Sequence, residues 1–495
     1  MNNSETQTGD MPDFEFREFS YRLTDWIADY FKGIERFPVL SQIEPGWLKK
    51  QIPPEPPESG EPFAAILEDV ENLILPATTH WNHPHFHGLF STSTSGPGIL
   101  AEMLAAALDM KAILWRTAPA SAELEDAALG WLRQMAGLPK DFEGIIYDTA
   151  SVSTMHAIAA ARQRICPDIR ELGMSGRKDL PLLRVYCSAE AHSSVEKACI
   201  ALGLGQRGLK RIECNNVFEM KSDSLAAAIE EDLAAGIKPI CVVATIGTTS
   251  TTSVDPVSEI GPICEKHGLW LHVDAAYAGP AAMLPEKRYL FRGWEAADSI
   301  VMNPHKWLFT PFDLSAFYCR DMASLRRAFS LVPEYLRTGE SANVKNGMDY
   351  GIQLGRRFRA LKLWFIIRYF GRNGIETRIR NHCRLAEDFA AWVRQSADFE
   401  LMAPVNFGLV CFRGRPRRTS SEADKQKMNE FNEKLVSRIN ASGKAYLSHT
   451  KLNDRFTIRL AVGSLRIEQR HIEEMKQMLT QEARLLKTEG KAARD

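Results

Sequence analysis

The chain has 495 residues, 45% of them apolar and 25% charged, with 61 basic against 62 acidic side chains for a net charge of −1. That length supplies several cores and excludes a peptide hormone, a small disulfide scaffold or a lone binding module. The neutral balance gives no long-range attraction to nucleic acid or to a membrane surface, so neither is expected as a partner.

The nine cysteines are an odd number without any CxxC spacing and read as reduced thiols of a cytoplasmic protein. The N-terminus lacks the basic-then-apolar pattern of a secretory signal, and no stretch reaches the ~18 uninterrupted apolar residues of a membrane span.

Phe16, Phe19, Leu23, Trp26, Ile27 and Tyr30 fall at helical spacing and predict an opening helix with one wide apolar face. The run Pro53 to Pro62, PPEPPESGEP, can form neither helix nor ladder and predicts an extended connector. Residues 1–94 are therefore expected to be a helical arm that packs on a second subunit.

From there β-rich runs alternate with helical stretches: Gly144 to Tyr147, Leu182 to Ser188, Ile240 to Gly247, Leu269 to Asp274 and Ser299 to Asn303. Such alternation predicts an α/β domain over 95–373, a mainly parallel sheet wrapped by helices, with ligands gathered at the C-terminal strand ends. Residues 374–495, with strand-like Phe407 to Arg413 and Phe456 to Val462, predict a small C-terminal α+β domain.

Two patterns are set aside. GLGQRG at Gly203 to Gly208 matches GxGxxG but follows a helix and precedes a strand, the reverse of a dinucleotide site. The basic cluster Arg413 to Arg418 reads as a solvated hairpin loop.

The strand ends carry the chemistry. Lys306 follows one buried run, beside His305; alone it would read as an ordinary solvated lysine. Asp274 ends a central strand, with small residues after it that leave room for a flat ligand. A lone buried carboxylate is costly unless it is paired, and a protonated pyridine nitrogen is such a partner. Ala150 and Ser151 open a helix whose free amide groups suit a phosphate, and Thr249 adds hydroxyls at a neighbouring strand end. Ordinary capping explains either turn singly; two at one sheet edge favour an anion pocket. Lysine, acid and phosphate donors together fit pyridoxal 5'-phosphate chemistry.

At this point a resemblance is evident. NPHKW, HVDAAYAG, SAEAHSSVEKA, TIGTTSTTSVDP, WNHPHFHGLFSTSTS, APASAELE and LGRRFRALKLW together resemble the group II pyridoxal-phosphate decarboxylases of the aromatic-L-amino-acid type, in order and over nearly the whole chain. The resemblance implies a fold type I transferase fold with a seven-stranded sheet, a homodimer, and pyridoxal 5'-phosphate as cofactor. It implies that Lys306 carries the cofactor, Asp274 pairs with the ring nitrogen and His192 stacks on the ring. Ala150, Ser151 and Asn303 then bind phosphate, with Thr249, Ala276 and His305 also lining the cofactor. Tyr335 would be the tyrosine that donates a proton to the substrate Cα, and Trp81, Leu89, Phe90, Thr92, Ile113 and Gly355 would border the substrate.

Leu89 and Ile113 stand where relatives often carry aromatic residues, the segment before LGRRFR reads MDYGIQ, and Gly355 is the glycine of members favouring indole side chains. The added volume suits tryptophan, with phenylalanine, tyrosine or DOPA as further substrates. Lys111 leaves an acidic amino acid as an alternative. Retention of Tyr335 and His192 favours release of an amine over formation of an aldehyde. A rival reading takes His83, His85 and His87, alternating along an extended segment, as the ligands of a metal-dependent hydrolase.

Overall fold

The computed structural model describes residues 9–331, 344–415 and 422–492. Its strands in chain order are β1 (Phe86–His87), β2 (Glu143–Tyr147), β3 (Leu183–Ser188), β4 (Leu209–Ile212), β5 (Lys238–Thr245), β6 (Trp270–Asp274), β7 (Ser299–Met302), β8 (Ser315–Cys319), β9 (Phe399–Leu401), β10 (Leu409–Gly414), β11 (Tyr446–Leu452) and β12 (Arg455–Ala461). Seven of them form the large sheet in the order β2-β8-β7-β6-β5-β3-β4. Strands β5, β6 and β7 are buried almost end to end, because helices cover both faces and no position is left for a polar outward side chain.

Every pairing in this sheet is parallel except those of β8, which runs against both β2 and β7. The sequence pattern predicts β2, β3, β5, β6 and β7 but not β8. Between β7 and β8 there is only the one-turn helix Pro304–Trp307 and a loop, too short for the crossover that a parallel return needs.

The second sheet has the order β1-β11-β12-β10-β9. Strand β1, from the N-terminal part of the chain, lies parallel to β11 with Phe86 opposite Tyr446 and His87 opposite Leu447. Helices Glu422–Ala441 and Gln469–Ala492 belong to this half of the molecule, whose core runs from Leu385 and Phe389 to Ile458 and Met475. The long helix Ala360–Gln395 joins the two halves and breaks at Gly371, where φ is 63°.

The opening helix is Asp13–Lys32, and none of its residues is buried. Phe14, Phe16 and Tyr21 are 74%, 60% and 64% exposed, whereas Phe19 packs on Phe63 at 4.8 Å and Tyr30 on Phe37 at 5.7 Å, so the apolar face expected from the spacing is covered within this chain only in part. The proline-rich connector is exposed throughout and lies between helices Trp47–Gln51 and Phe63–Asp69.

Candidate active site

The site is set by strand register. Thr245 of β5 lies beside Asp274 of β6, and Asp274 beside Val301 of β7. Two-residue periodicity therefore puts Thr245, Asp274 and, just past β7, Asn303 on one face of the sheet. Helix Ala150–Ile165 covers that face: Ser153 Oγ is 2.9 Å from Ser315 Oγ, and Thr154 Oγ1 is 3.5 Å from Nε2 of His272. Its first turn, at Ala150 and Ser151, carries N–H groups with no partner within the helix. Thr149 before it is extended, and Asp148 Oδ1 accepts the Thr149 N–H at 2.6 Å.

Asp274 is only 6% exposed, and one of its oxygens accepts the Ala276 N–H at 3.0 Å. A buried carboxylate needs a cation, and the structure supplies one in Lys306. Burial lowers the Lys306 pKa below that of an ordinary lysine, while the Asp274 charge works in the opposite direction. Lowering enlarges the free-amine fraction, as a Schiff-base nucleophile requires. The one-turn helix that carries Lys306 starts at Pro304, whose fixed φ suits the first helical position.

His192 feels both groups: burial lowers its pKa, Asp274 raises it and Lys306 lowers it. Its Nδ1 accepts the Ser194 N–H at 3.2 Å and lies 2.8 Å from the Ser194 hydroxyl. The neutral ring therefore carries its proton on Nε2.

His305 is buried, with its pKa lowered to about 3 chiefly by that burial, and its Nδ1 accepts the Leu314 N–H at 2.9 Å. Its proton consequently sits on Nε2, 3.2 Å from the Asn303 amide group. The oxygen of that amide is the chemically consistent neighbour, which leaves the Asn303 NH2 as a free donor. Thr245 Oγ1 at the end of β5, on the same face of the sheet, and this Asn303 group are both buried without a hydrogen-bond partner. Buried polar groups are normally satisfied, so their gathering at the strand ends marks a ligand site.

On the other side, the Phe90 ring stacks on Tyr277 at 3.9 Å and 10°, and Tyr277 stacks on Trp307 at 4.8 Å. Lys306 Nζ is 5.4 Å from the Phe90 ring centre. Leu89 is 47% exposed; Trp81 is 43% exposed and stacks on Phe86 at 4.5 Å; Thr92 is half-buried between the buried Ser91 and Ser93. Ala276 is buried, and its carbonyl accepts the Asn303 N–H at 2.9 Å. The Thr249 carbonyl accepts a hydrogen bond from Arg459 at 2.7 Å.

Lys306, Asp274 and His192 are thus brought together, with Phe90 against the lysine. Ile113 and Gly355 fall in a second cluster beyond β2. There the Ala112 N–H bonds the Arg356 carbonyl at 2.8 Å, Ile113 packs beside Leu114 and Met348, and Arg356 pairs with Glu125 at 2.6 Å. Lys111 is exposed on the surface and paired with exposed Asp109. Tyr335 lies outside the described residues. Sequence reasoning missed Arg459, although one charge inside the apolar run FTIRLAV was a signal.

The three alternating histidines do not line an extended face. The chain turns at His83, whose carbonyl accepts the Phe86 N–H, and only Phe86 and His87 are strand. His83 Nδ1 accepts the His85 N–H, His85 Nε2 donates to Glu474 at 2.8 Å, and His87 Nδ1 donates to the Ala461 carbonyl at 3.0 Å. No group of three or more metal-ligating side chains that could hold an ion occurs among the described residues. The metal-hydrolase reading is overturned by this geometry.

The profile described as "Pyridoxal-dependent decarboxylase conserved domain" matches residues 45–415. This chain belongs to the group II pyridoxal-phosphate-dependent decarboxylases. The decarboxylase is 41% identical over 471 residues to the aromatic-L-amino-acid decarboxylase of Bos taurus, covering 93% of this chain and 94% of that one. It is 39% identical to the phenylacetaldehyde synthase of Arabidopsis thaliana, covering 95% and 96%. Among solved structures, the Oryza sativa TDC with PLP and tryptamine superimposes with a TM-score of 0.92 at 34% identity, covering 97% of this chain and 99% of that one. The fold is fold type I, and the cofactor is pyridoxal 5'-phosphate. Its donor set fits the residues present: a free amine, a carboxylate, first-turn amides and an unsatisfied asparagine.

Proposed function

We propose that this decarboxylase acts on an aromatic L-amino acid, tryptophan ahead of phenylalanine, tyrosine or DOPA, and releases the corresponding amine and carbon dioxide. The observation that carries the reading is the stack of Phe90 on Tyr277 beside Lys306, an apolar aromatic wall next to the reactive amine. The likeness to the rice structure holding tryptamine supports an indole-sized pocket.

In this reading Lys306 holds the cofactor covalently, Asp274 keeps its ring nitrogen protonated and His192 stacks on the ring. Ala150, Ser151 and Asn303 take the phosphate, and Thr249, Ala276 and His305 line the cofactor. Trp81, Leu89, Phe90 and Thr92 border the substrate, and Ile113 and Gly355, in the separate cluster beyond β2, reach it from a second copy of the chain. When bound, the protonated ring supplies the electron sink that lets the carboxylate leave. Asp274 maintains that proton, and Tyr335 returns one to the substrate Cα.

The enzyme is further proposed to be a cytoplasmic homodimer, divided into an arm (1–94), a cofactor domain (95–373) and a small domain (374–495). The uncovered apolar side chains of the opening helix, and Leu100, Met103, Leu104 and Leu108 along helix Gly96–Leu108, support association of two copies. All nine cysteines are free, as a reducing compartment allows. No described helix is long and apolar enough to cross a membrane.

The experiment is an amino-acid panel with the purified enzyme and cofactor, with the products identified. Tryptamine formed with the highest kcat/KM is expected. Faster turnover of glutamate or aspartate than of any aromatic substrate would overturn the substrate reading. Stoichiometric aldehyde in place of the amine would assign an aldehyde-forming activity like that named for the Arabidopsis relative instead.

A further inference from the structure

Arg459, on β12, is 4% exposed, and the three hydrogen bonds recorded for its guanidinium go to neutral oxygens. Nη2 donates to the Thr249 carbonyl at 2.7 Å and Nε to the Ser250 carbonyl at 3.0 Å, both on the turn that follows β5 in the large sheet. Nη1 donates to Ser448 Oγ at 2.8 Å. That same oxygen accepts the Leu89 N–H at 3.0 Å. The guanidinium carbon also lies 5.6 Å from the centre of the Phe90 ring. One side chain of the small sheet thus reaches the turn bearing Thr249 and the segment bearing Leu89 and Phe90.

Both segments need holding. Leu89 has φ 52° and Thr252 φ 58°, left-handed values that a branched side chain rarely adopts. Such conformations persist only where the surroundings over-determine them. Within the turn, the Thr252 N–H bonds the Thr248 carbonyl at 2.8 Å, and Thr248, Thr251 and Ser253 link their hydroxyls at 2.8 to 3.0 Å. Ser250 receives further bonds from the small sheet: its carbonyl from Cys411 Sγ at 3.3 Å, its hydroxyl from Thr450 at 3.3 Å. A planar fork with donors in three directions meets three separated acceptors; an ammonium group on a flexible stem does not.

We infer that Arg459 is a positioning residue that fixes two walls of the site at once, the Thr249–Ser250 turn on the cofactor side and, through Ser448, the Leu89–Phe90 wall on the substrate side. The inference rests on the reading above only in assigning those walls to cofactor and substrate; the mechanical link is independent of it.

The test uses the full chain, with cofactor and after its removal, and reads hydrogen–deuterium exchange in peptides spanning 86–92 and 247–254. Arg459→Met and Arg459→Lys are expected to speed exchange at least about tenfold in both peptides, with the rest of the small domain unchanged. Ser448→Ala should speed it in the first peptide only. In the loaded enzyme, Arg459→Lys raises both the cofactor Kd and the substrate KM, about fivefold or more, whereas Ser448→Ala raises KM alone. Wild-type exchange in both peptides of the two Arg459 variants would overturn the inference, as would uniform acceleration across the small domain, which marks a merely structural role. Altered exchange without a change in Kd or KM would leave the link intact and refute the assignment of the walls.

Discussion

His87 offers a quantitative test of how the arm is anchored. It is fully buried, its Nδ1–H is donated to the Ala461 carbonyl at 3.0 Å, and its pKa is lowered to about 3, first by burial and then by His85. In the unfolded chain the same ring titrates near the ordinary histidine value of about 6.5. Between those values the unfolded state binds the extra proton. The stabilisation is therefore whole above about pH 6.5 and is lost as pH falls towards 3. Linkage for one such group gives about 2 kcal/mol lost by pH 5 and roughly 4 to 5 kcal/mol below pH 3. His83, lowered to about 4 chiefly by burial, acts in the same direction. His87→Phe keeps much of the ring volume and removes the titration. The variant should lose about 1 kcal/mol at pH 7 with the Ala461 bond. Its further loss between pH 7 and pH 5 should then be about 2 kcal/mol smaller than that of the wild type. Urea unfolding followed by circular dichroism at pH 7, 6 and 5 measures the difference. Parallel losses in the two proteins would refute the reasoning.

Three further outcomes bear on the chemistry. Lys306→Ala should lack the visible absorption band of the lysine-bound cofactor, and a persistent band in the spectrum would refute the role of that amine. Asp274→Ala should lower kcat about a hundredfold, roughly 2.7 kcal/mol of barrier, with a much smaller loss of cofactor occupancy; steady-state rates beside cofactor titration measure both. Tyr335→Phe should divert product, with uptake of dissolved O2 and water, towards aldehyde, ammonia and hydrogen peroxide, measured by oxygen consumption and peroxide release, and an unchanged amine yield would contradict the assignment of that tyrosine.

Asp274 was legible in the sequence because it closes a mostly apolar run, whereas Lys306, three residues beyond Asn303 at the end of the next run, gained its meaning only from that company and from the NPHKW motif. A strand buried on both faces announces itself by composition, and its last residue is where ligands gather. Strand β8 gave no such warning, since its antiparallel return needs no helix and breaks the alternation from which the other strands are read. The histidine triplet misled because alternate spacing implies one face only if the segment is extended, and the turn at His83 removes that premise. Thr249 was read from its hydroxyl, but the recorded bond that fixes it runs through its carbonyl, which every residue possesses.

The same distinction explains where the site lies. The large sheet alone aligns Thr245, Asp274 and Asn303 by register, and this is enough to place a hydroxyl, an acid and an amide around a flat ring, with the amine on the one-turn helix that follows. It supplies no wall for a substrate side chain. Phe90 provides that wall, from the stretch just after β1, and β1 is held in place by pairing with β11 of the other sheet. Register, which is local, fixes the cofactor side, whereas the substrate side depends on contacts between residues hundreds of positions apart, such as Leu89 with Ser448. Substitutions in the small sheet should therefore alter which amino acid is accepted more readily than whether the cofactor is held, with Arg459, which reaches both sides, as the exception.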